Sequence, residues 1–429
     1  METTDRRAAV LEDLEWRRMI ADHTDLDALR SAMRDGPVTF YGGFDPTAPS
    51  LHFGNLVLLM TMRRLQDAGH RPVGLVGGAT GLVGDPSGRT SERVLQAPEV
   101  IEAWVERIRS QVERYLDFEG PNAAIIANNL DWTARMTAIE WLRDVGKHFS
   151  VSRMLAKEAV SARLEAGGIS YTEFSYQVMQ AVDYLELYRR HGCALQLGGS
   201  DQWGNITAGV DLIRRVEGAA VHALATPLIT RPDGQKFGKS EGGTLWLDPA
   251  LTSPFSFYQW FLNVDDSVVG TYLRVFSFRS REEIETLEAT VTTQPDARAA
   301  QRALAAEVTE LVHGPEGARS AEAAASALFG QGDLRELDSA TLEAAFVDLP
   351  HAAVKAGAGI PSVLDLLVET GLAESRGQAR RTLAEGGAYM NNVRVADIAV
   401  VPTEADLLAG RWLLLRRGKR SIAVAEVSR

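Results

Sequence analysis

Apolar residues recur at helical spacing through the first 35 positions, with Leu11, Leu14, Met19 and Ile20 in phase. Val38-Thr-Phe-Tyr-Gly then reads as a short strand, and Phe44-Asp-Pro-Thr-Ala-Pro-Ser50 as a turn-rich loop. From Leu51 to His70 the helical period returns in Leu56, Leu59, Met60 and Leu65, and Gly69 closes the segment. Ser50 is the expected N-cap. Pro72-Val-Gly-Leu-Val-Gly is the next strand. Strand, helix, strand predicts a parallel sheet with a right-handed crossover. Ala123-Ala-Ile-Ile-Ala and Ala194-Leu-Gln-Leu-Gly read as further strands, the second opening a helix at Gly199-Ser-Asp-Gln-Trp. Residues 131–190 between them are mainly helical. Residues 253–330 carry helical patterns with almost no strand signal, and 331–358 lack strong periodicity and read as a linker. From Ile360 two helical stretches precede a hairpin signal, Ala388-Tyr-Met, Asn391-Asn392, Val393-Arg-Val.

Composition narrows the class. The 429 residues, 45% hydrophobic and 24% charged, suit a folded chain of two to four domains and exclude a disordered or fibrous one. A net charge of −12 argues against a chain that coats nucleic acid or membrane along its whole length. The charge is uneven, however. Residues 1–358 hold 35 basic and 49 acidic residues (net −14), whereas residues 359–429 hold 10 and 8 (net +2). A single cysteine, Cys193, excludes an internal disulfide and a cysteine-based zinc cluster, and suggests a reducing compartment. No apolar run approaches 18 residues, and the charged N-terminus lacks the core of a signal peptide. The eight histidines form no His-x-x-x-His pair, so no protein-bound metal is expected. Only six lysines stand against 39 arginines, and two of the six, Lys236 and Lys239, fall within four residues.

Ligands of doubly wound sheets sit at the carboxyl ends of strands. Tyr41-Gly-Gly-Phe-Asp-Pro-Thr47 leads there into His52-Phe-Gly-Asn55, in the first turn of a helix whose free N–H groups favour phosphate. Thr47 and His52 add donors, and Gly54 leaves room for a flat nucleoside; the alternative is a capped helix with an ordinary surface histidine. Gly234-Gln-Lys-Phe-Gly-Lys-Ser240 falls short of a P-loop, because only three residues separate its glycines and no helix follows. It remains a glycine-rich loop with two ammonium groups, able to stabilise polyphosphate charge; the alternative is a solvated turn. Tyr176, Gln180 and Asp183 share one helix face at i, i+4 and i+7. Gly198-Gly-Ser-Asp201-Gln202 places a carboxylate where ribose hydroxyls are commonly taken. Gly77-Gly-Ala-Thr-Gly-Leu-Val-Gly-Asp85-Pro-Ser-Gly88 lacks a dinucleotide fingerprint, and Asp85 is its one charged group, suited to an amine.

Together these segments resemble bacterial tyrosyl-tRNA synthetases from about residue 10 to the end. His52-Phe-Gly-Asn55 is similar to the class I "HIGH" motif, and Lys236-Phe-Gly-Lys-Ser240 to its "KMSKS" partner. The resemblance implies an α/β, Rossmann-like class I catalytic domain with a parallel sheet (1–225) and a connecting segment with the KFGKS loop (226–252). An all-α anticodon-arm domain (253–330), a linker (331–358) and a small α+β RNA-binding module (359–429) follow. It implies ATP-dependent ligation of L-tyrosine to tRNA(Tyr), Mg²⁺ accompanying ATP without a fixed protein metal site, a cytoplasmic location, no membrane partner and a homodimer.

Residue roles follow from the same resemblance. Tyr41 and Asp183 would take the phenol, Asp85, Tyr176 and Gln180 the α-ammonium, and Gln202 would lie near the carboxylate. Gly43, Asp45, His52, Gly54, Gly199, Asp201, Lys239 and Ser240 would form the ATP site, Asp201 taking a ribose hydroxyl. Thr47, His52, Lys236 and Lys239 would stabilise departing pyrophosphate, assisted by Arg89 and Arg93. Asn55 replaces the second histidine of its motif and can still donate through its amide. Gly42 stands where many relatives carry a side chain, so only backbone approach is expected there. Arg376, Arg380 and Arg381 share one side of a helix, and with Arg417 and Lys419 would meet tRNA phosphates.

Overall fold

The computed structural model describes residues 3–85, 96–229, 244–328, 332–347, 349–355, 359–418 and 421–428. It divides into two compact units, residues 1–248 with 267–284, and residues 249–266 with 285–429.

The first unit is built on a six-stranded sheet of β1 (Asp22–His23), β2 (Thr39–Phe44), β3 (Arg71–Val76), β4 (Ile125–Asn128), β5 (Cys193–Gly199) and β6 (His222–Thr226), in the order β1-β6-β5-β2-β3-β4. The last five are parallel, as the βαβ pattern predicts, and β1 is an antiparallel edge. Periodicity gave no sign of β1 or β6, since two residues carry no pattern and His222-Ala-Leu-Ala-Thr lacks β-branched runs. β2 connects onward to β3 and β4 on one side, while β5 and β6 lie on the other. The strand order therefore reverses between β2 and β5, where a crevice opens at the carboxyl ends.

The Phe53–Asp67 helix follows β2. Its N-cap is His52, not Ser50: Ser50 is buried, with its Oγ donating to the Leu51 carbonyl at 2.7 Å. Residues 267–284, expected in the all-α domain, pack with the first unit. The carbonyls ending the Asp266–Phe276 helix have no partners within that helix. Two buried guanidiniums supply them. Arg17 donates to the carbonyls of Arg274, Ser277 and Arg279 at 2.8–3.0 Å, and Arg64 to that of Ser277 at 2.5 Å.

In the second unit the Pro254–Leu262, Ala299–Leu328 and Ser339–Phe346 helices pack together, the second kinked at Gly314-Pro315. Beyond them β7 (His351–Lys355), β8 (Ala388–Met390), β9 (Val393–Val395), β10 (Trp412–Arg417) and β11 (Ser421–Ser428) form a sheet ordered β7-β11-β10-β8-β9. The expected linker thus holds a helix and a strand, β7, which pairs in parallel with β11. Its pattern is uninformative because β7 is a short edge strand with alanine at two of five positions. Asn391 and Asn392 make the expected two-residue turn, both at positive φ (48° and 65°). The Val363–Glu369 and Arg376–Ala384 helices close the core beneath this sheet through Val363, Leu366, Leu367 and Leu383.

Candidate active site

At the β2/β5 crevice lies a cavity of about 500 Å³. β2 contributes Tyr41 and Gly43, the following loop Asp45 and Thr47, and the first helical turn His52, Gly54 and Asn55. β5 and its continuation bring Gln196, Gly199, Asp201 and Gln202; the Tyr171–His191 helix brings Tyr176, Gln180 and Asp183; Asp85 completes the polar wall. Every described catalytic, tyrosine-site and ATP-site candidate therefore lines one cavity. Arg89, Arg93, Lys236, Lys239 and Ser240 lie outside the described residues, as does Lys419.

The inner end is buried and polar. Asp183 is 2% exposed, and its carboxylate accepts from Trp132 Nε1 at 2.8 Å and Asn129 Nδ2 at 3.0 Å. Burial pushes its pKa up to about 7 despite these two bonds, which pull the other way. Tyr41 is 1% exposed, and its hydroxyl is buried without a hydrogen-bond partner. Burial, then the neighbouring Asp183 charge, holds its phenol well above the ordinary value. The carbonyl oxygens of Gln180 and Gln196 are likewise buried and unpartnered. Buried polar groups are normally paired, so this cluster is incomplete without a ligand that carries polar atoms.

Further out the wall is already braced. Asp45 accepts from Tyr176 Oη and from Thr80 Oγ1, both at 2.6 Å. Asp45 thus orients Tyr176 and Thr80, a different setting from the ATP contact expected of it. Burial, followed by the Asp45 and Asp85 charges, raises the Tyr176 phenol well above its usual range. Gln202 donates to Asp85 at 2.6 Å, and its own carbonyl accepts from Asn205 at 3.1 Å. At the helix start, His52 Nδ1 accepts from the Gly54 N–H (3.0 Å) while Asn55 Oδ1 accepts from the His52 N–H (3.0 Å). This capping box uses the oxygen of the Asn55 amide, leaving its NH₂ as the group able to donate outward. At Gly42 an added Cβ would stand 2.6 Å from Met62 Sδ, so Met62 fills the space a side chain would need here.

Asn129 and Trp132 were not among the expected residues. They directly follow β4, so inspecting the carboxyl end of every strand would have found them. In the second unit Arg380 and Arg381 are exposed on the Arg376–Ala384 helix. Arg376 pairs with Asp365 at 2.5 Å, and Arg417 donates to the Leu372 carbonyl at 2.7 Å. Arg416 stacks over the Tyr389 ring at 4.4 Å.

A family model described as class I tRNA synthetases (W and Y) matches residues 33–330. Fold and cavity accordingly define a class I tRNA synthetase of the tryptophan and tyrosine group. Within it, the chain belongs to the tyrosine–tRNA ligases: the SYY-like C-terminal domain of those enzymes matches residues 341–425. The tyrosine–tRNA ligase of Streptomyces griseus is 62% identical over 420 residues, covering 97% of this chain and 98% of that one. The Mycobacterium bovis tyrosine–tRNA ligase is 55% identical over 419 residues, covering 97% and 98%. A C-terminally truncated mitochondrial tyrosyl-tRNA synthetase from Aspergillus nidulans matches in structure with a TM-score of 0.67 at 31% identity, covering 75% of this chain and 96% of that one. A tryptophanyl-tRNA synthetase from Encephalitozoon cuniculi shares the fold at 13% identity. The protein activates L-tyrosine with ATP, releasing pyrophosphate, and transfers the tyrosyl group to the 3′-terminal ribose of its tRNA. No helix among the described residues is long and apolar enough to cross a membrane.

Proposed function

We propose that tyrosine lies with its phenol between Tyr41 and Asp183. The observation that carries this reading is the buried, unpartnered Tyr41 hydroxyl beside a buried carboxylate. A phenol O–H donating to Asp183 and accepting from Tyr41 satisfies both groups; a phenylalanine ring satisfies neither. Asp85, Tyr176 and Gln180 hold the α-ammonium, and Gln202, braced by Asp85, lies toward the carboxylate. Asp45 acts through Tyr176.

The substrate carboxylate is already a nucleophile, so its attack on the ATP α-phosphorus needs no enzymic base. Catalysis then rests on alignment and on donors around the transferring group. Gly43, Gly54 and Gly199 let backbone approach the nucleotide, and Asp201 takes a ribose hydroxyl. Thr47, His52, Asn55, Lys236, Lys239 and Ser240, with Arg89 and Arg93, stabilise charge on departing pyrophosphate. Among the described residues no three His, Cys, Asp or Glu side chains converge as a metal site. Mg²⁺ is placed with ATP as part of the substrate, and no step is assigned to it.

The partner nucleic acid is tRNA(Tyr), with phosphates met by Arg380 and Arg381 and, beside them, Arg376, Arg417 and Lys419. Homodimerisation uses the stretch from 130 to 171, where Ile139 (68% exposed), Leu142 (60%), Val151 and Tyr171 leave apolar surface uncovered. The enzyme works in the cytoplasm, where its tRNA is. ATP–pyrophosphate exchange with each amino acid tests the reading: exchange with tyrosine is expected, and exchange with tryptophan instead, or with none, overturns it.

A further inference from the structure

The first turn of the Phe53–Asp67 helix specifies the state of one imidazole. A backbone N–H can only donate, so the Gly54 N–H 3.0 Å from His52 Nδ1 makes that nitrogen an acceptor. The ring proton of the neutral form is therefore on Nε2. Burial lowers the affinity of the ring for a second proton, in the same direction. The ring is also enclosed. A Cβ at Gly54 would stand 2.9 Å from His52 Cε1, so glycine is what allows the imidazole to lie over that backbone. Trp246 meets the ring edge-on, with centroids 6.4 Å apart and planes at 60°. Backbone pairing enforces that contact: Phe53 N–H donates to the Leu245 carbonyl and Leu247 N–H to the Leu51 carbonyl, both at 2.9 Å, making His52 and Trp246 bridge partners. Both residues line the cavity.

We propose that Trp246 is a positioning residue that holds His52 as a neutral, single-tautomer Nε2–H donor for the phosphate end of ATP. The assignment rests on the reading of His52 given above. A flipped ring loses the Gly54 bond, and a second proton at Nδ1 breaks it as well. The indole restricts the first of these motions, so the donor is in place before ATP arrives and carries no charge of its own.

Trp246→Ala and Trp246→Phe test this in ATP–pyrophosphate exchange. Loss of the ring contact is expected to lower kcat about 2- to 10-fold, with the KM for tyrosine within about twofold of wild type, and phenylalanine is expected to restore kcat. Nitrogen-15 NMR of histidine-labelled wild-type enzyme, with His52 assigned by its loss in His52→Gln, is expected to show Nδ1 unprotonated and Nε2 protonated. Trp246→Ala should broaden or average those two signals. A protonated Nδ1 in the wild type overturns the proposal even if the alanine variant fails to fold. So does a folded alanine variant with wild-type kcat and wild-type signals. If His52→Ala itself leaves exchange unchanged, the underlying phosphate-end reading of His52 has failed, irrespective of Trp246.

Discussion

The Tyr41 hydroxyl allows a test with opposite signs in the free and occupied enzyme. It is buried and makes no hydrogen bond within the protein. An unmatched buried hydroxyl costs about 1–3 kcal/mol, so Tyr41→Phe is expected to stabilise the ligand-free protein, by ~1 kcal/mol or more. With tyrosine bound, the same hydroxyl makes one neutral hydrogen bond, worth about 0.5–1.5 kcal/mol. Because kcat/KM is referred to the free enzyme, the two effects add, and kcat/KM for tyrosine should fall by about 1.5–2.5 kcal/mol, roughly 12- to 70-fold. Phenylalanine never satisfied that hydroxyl, so its kcat/KM should stay as it was, and the preference for tyrosine should narrow by the same factor. The assay is ATP–pyrophosphate exchange with both amino acids, paired with urea unfolding of the free enzyme. An unchanged kcat/KM for tyrosine would refute the phenol placement. A variant destabilised by more than about 1 kcal/mol would show that the hydroxyl is paired in the native protein.

Asp183 gives a pH signature. Burial raises its pKa from 3.8 to about 7, so folding takes up a proton between those values. Its contribution is complete below pH ~4 and is lost as pH rises through 7; (7 − 3.8) at 1.36 kcal/mol per pH unit gives about 4 kcal/mol. Asp183→Asn should flatten that part of the pH–stability curve, and an unchanged slope would contradict the burial argument. The ionised form is the acceptor for the phenol, so the KM for tyrosine in wild type should fall as pH rises through 7, as steady-state exchange kinetics would show. Arg380→Ala and Arg381→Ala should each weaken tRNA binding and reduce its log–log salt slope by about one, leaving exchange with tyrosine untouched; filter binding over a salt series reads both. Leu142→Asp should raise the dimer dissociation constant in sedimentation velocity, and an unaltered profile would place the interface elsewhere.

The sequence exposed those parts of the enzyme whose information is local. The βαβ rhythm of β2, the Phe53–Asp67 helix and β3 follows from apolar spacing. The Asn391-Asn392 turn follows from the tolerance of asparagine for positive φ. Tyr176, Gln180 and Asp183 share a helix face by period alone. What stayed hidden depends on distant partners. β1 is two residues long and exists because β6 accepts it. Residues 267–284 read as one more helix of the all-α segment, yet Arg17 and Arg64, more than 200 residues earlier, satisfy their carbonyls. Asp45 reads as a nucleotide-site residue, and nothing local shows that Tyr176 donates to it from 131 residues away.

The helix start at His52 joins these two kinds of information. Ser50 is the better N-cap by propensity, but Ser50 is buried, its hydroxyl spent on the Leu51 carbonyl and accepting from Gln111 Nε2 at 3.1 Å. That leaves the cap to His52, so that on the reading proposed above one imidazole has both a structural and a catalytic duty. The duties do not compete. Capping consumes only Nδ1, and capping by Asn55 consumes only its amide oxygen. Each residue thus keeps a donor in reserve, and on the reading proposed above these donors serve the phosphate end of the cavity that both residues line. Asparagine in place of the second motif histidine retains that logic, because what this position must supply, once its acceptor is spent on the helix, is an N–H.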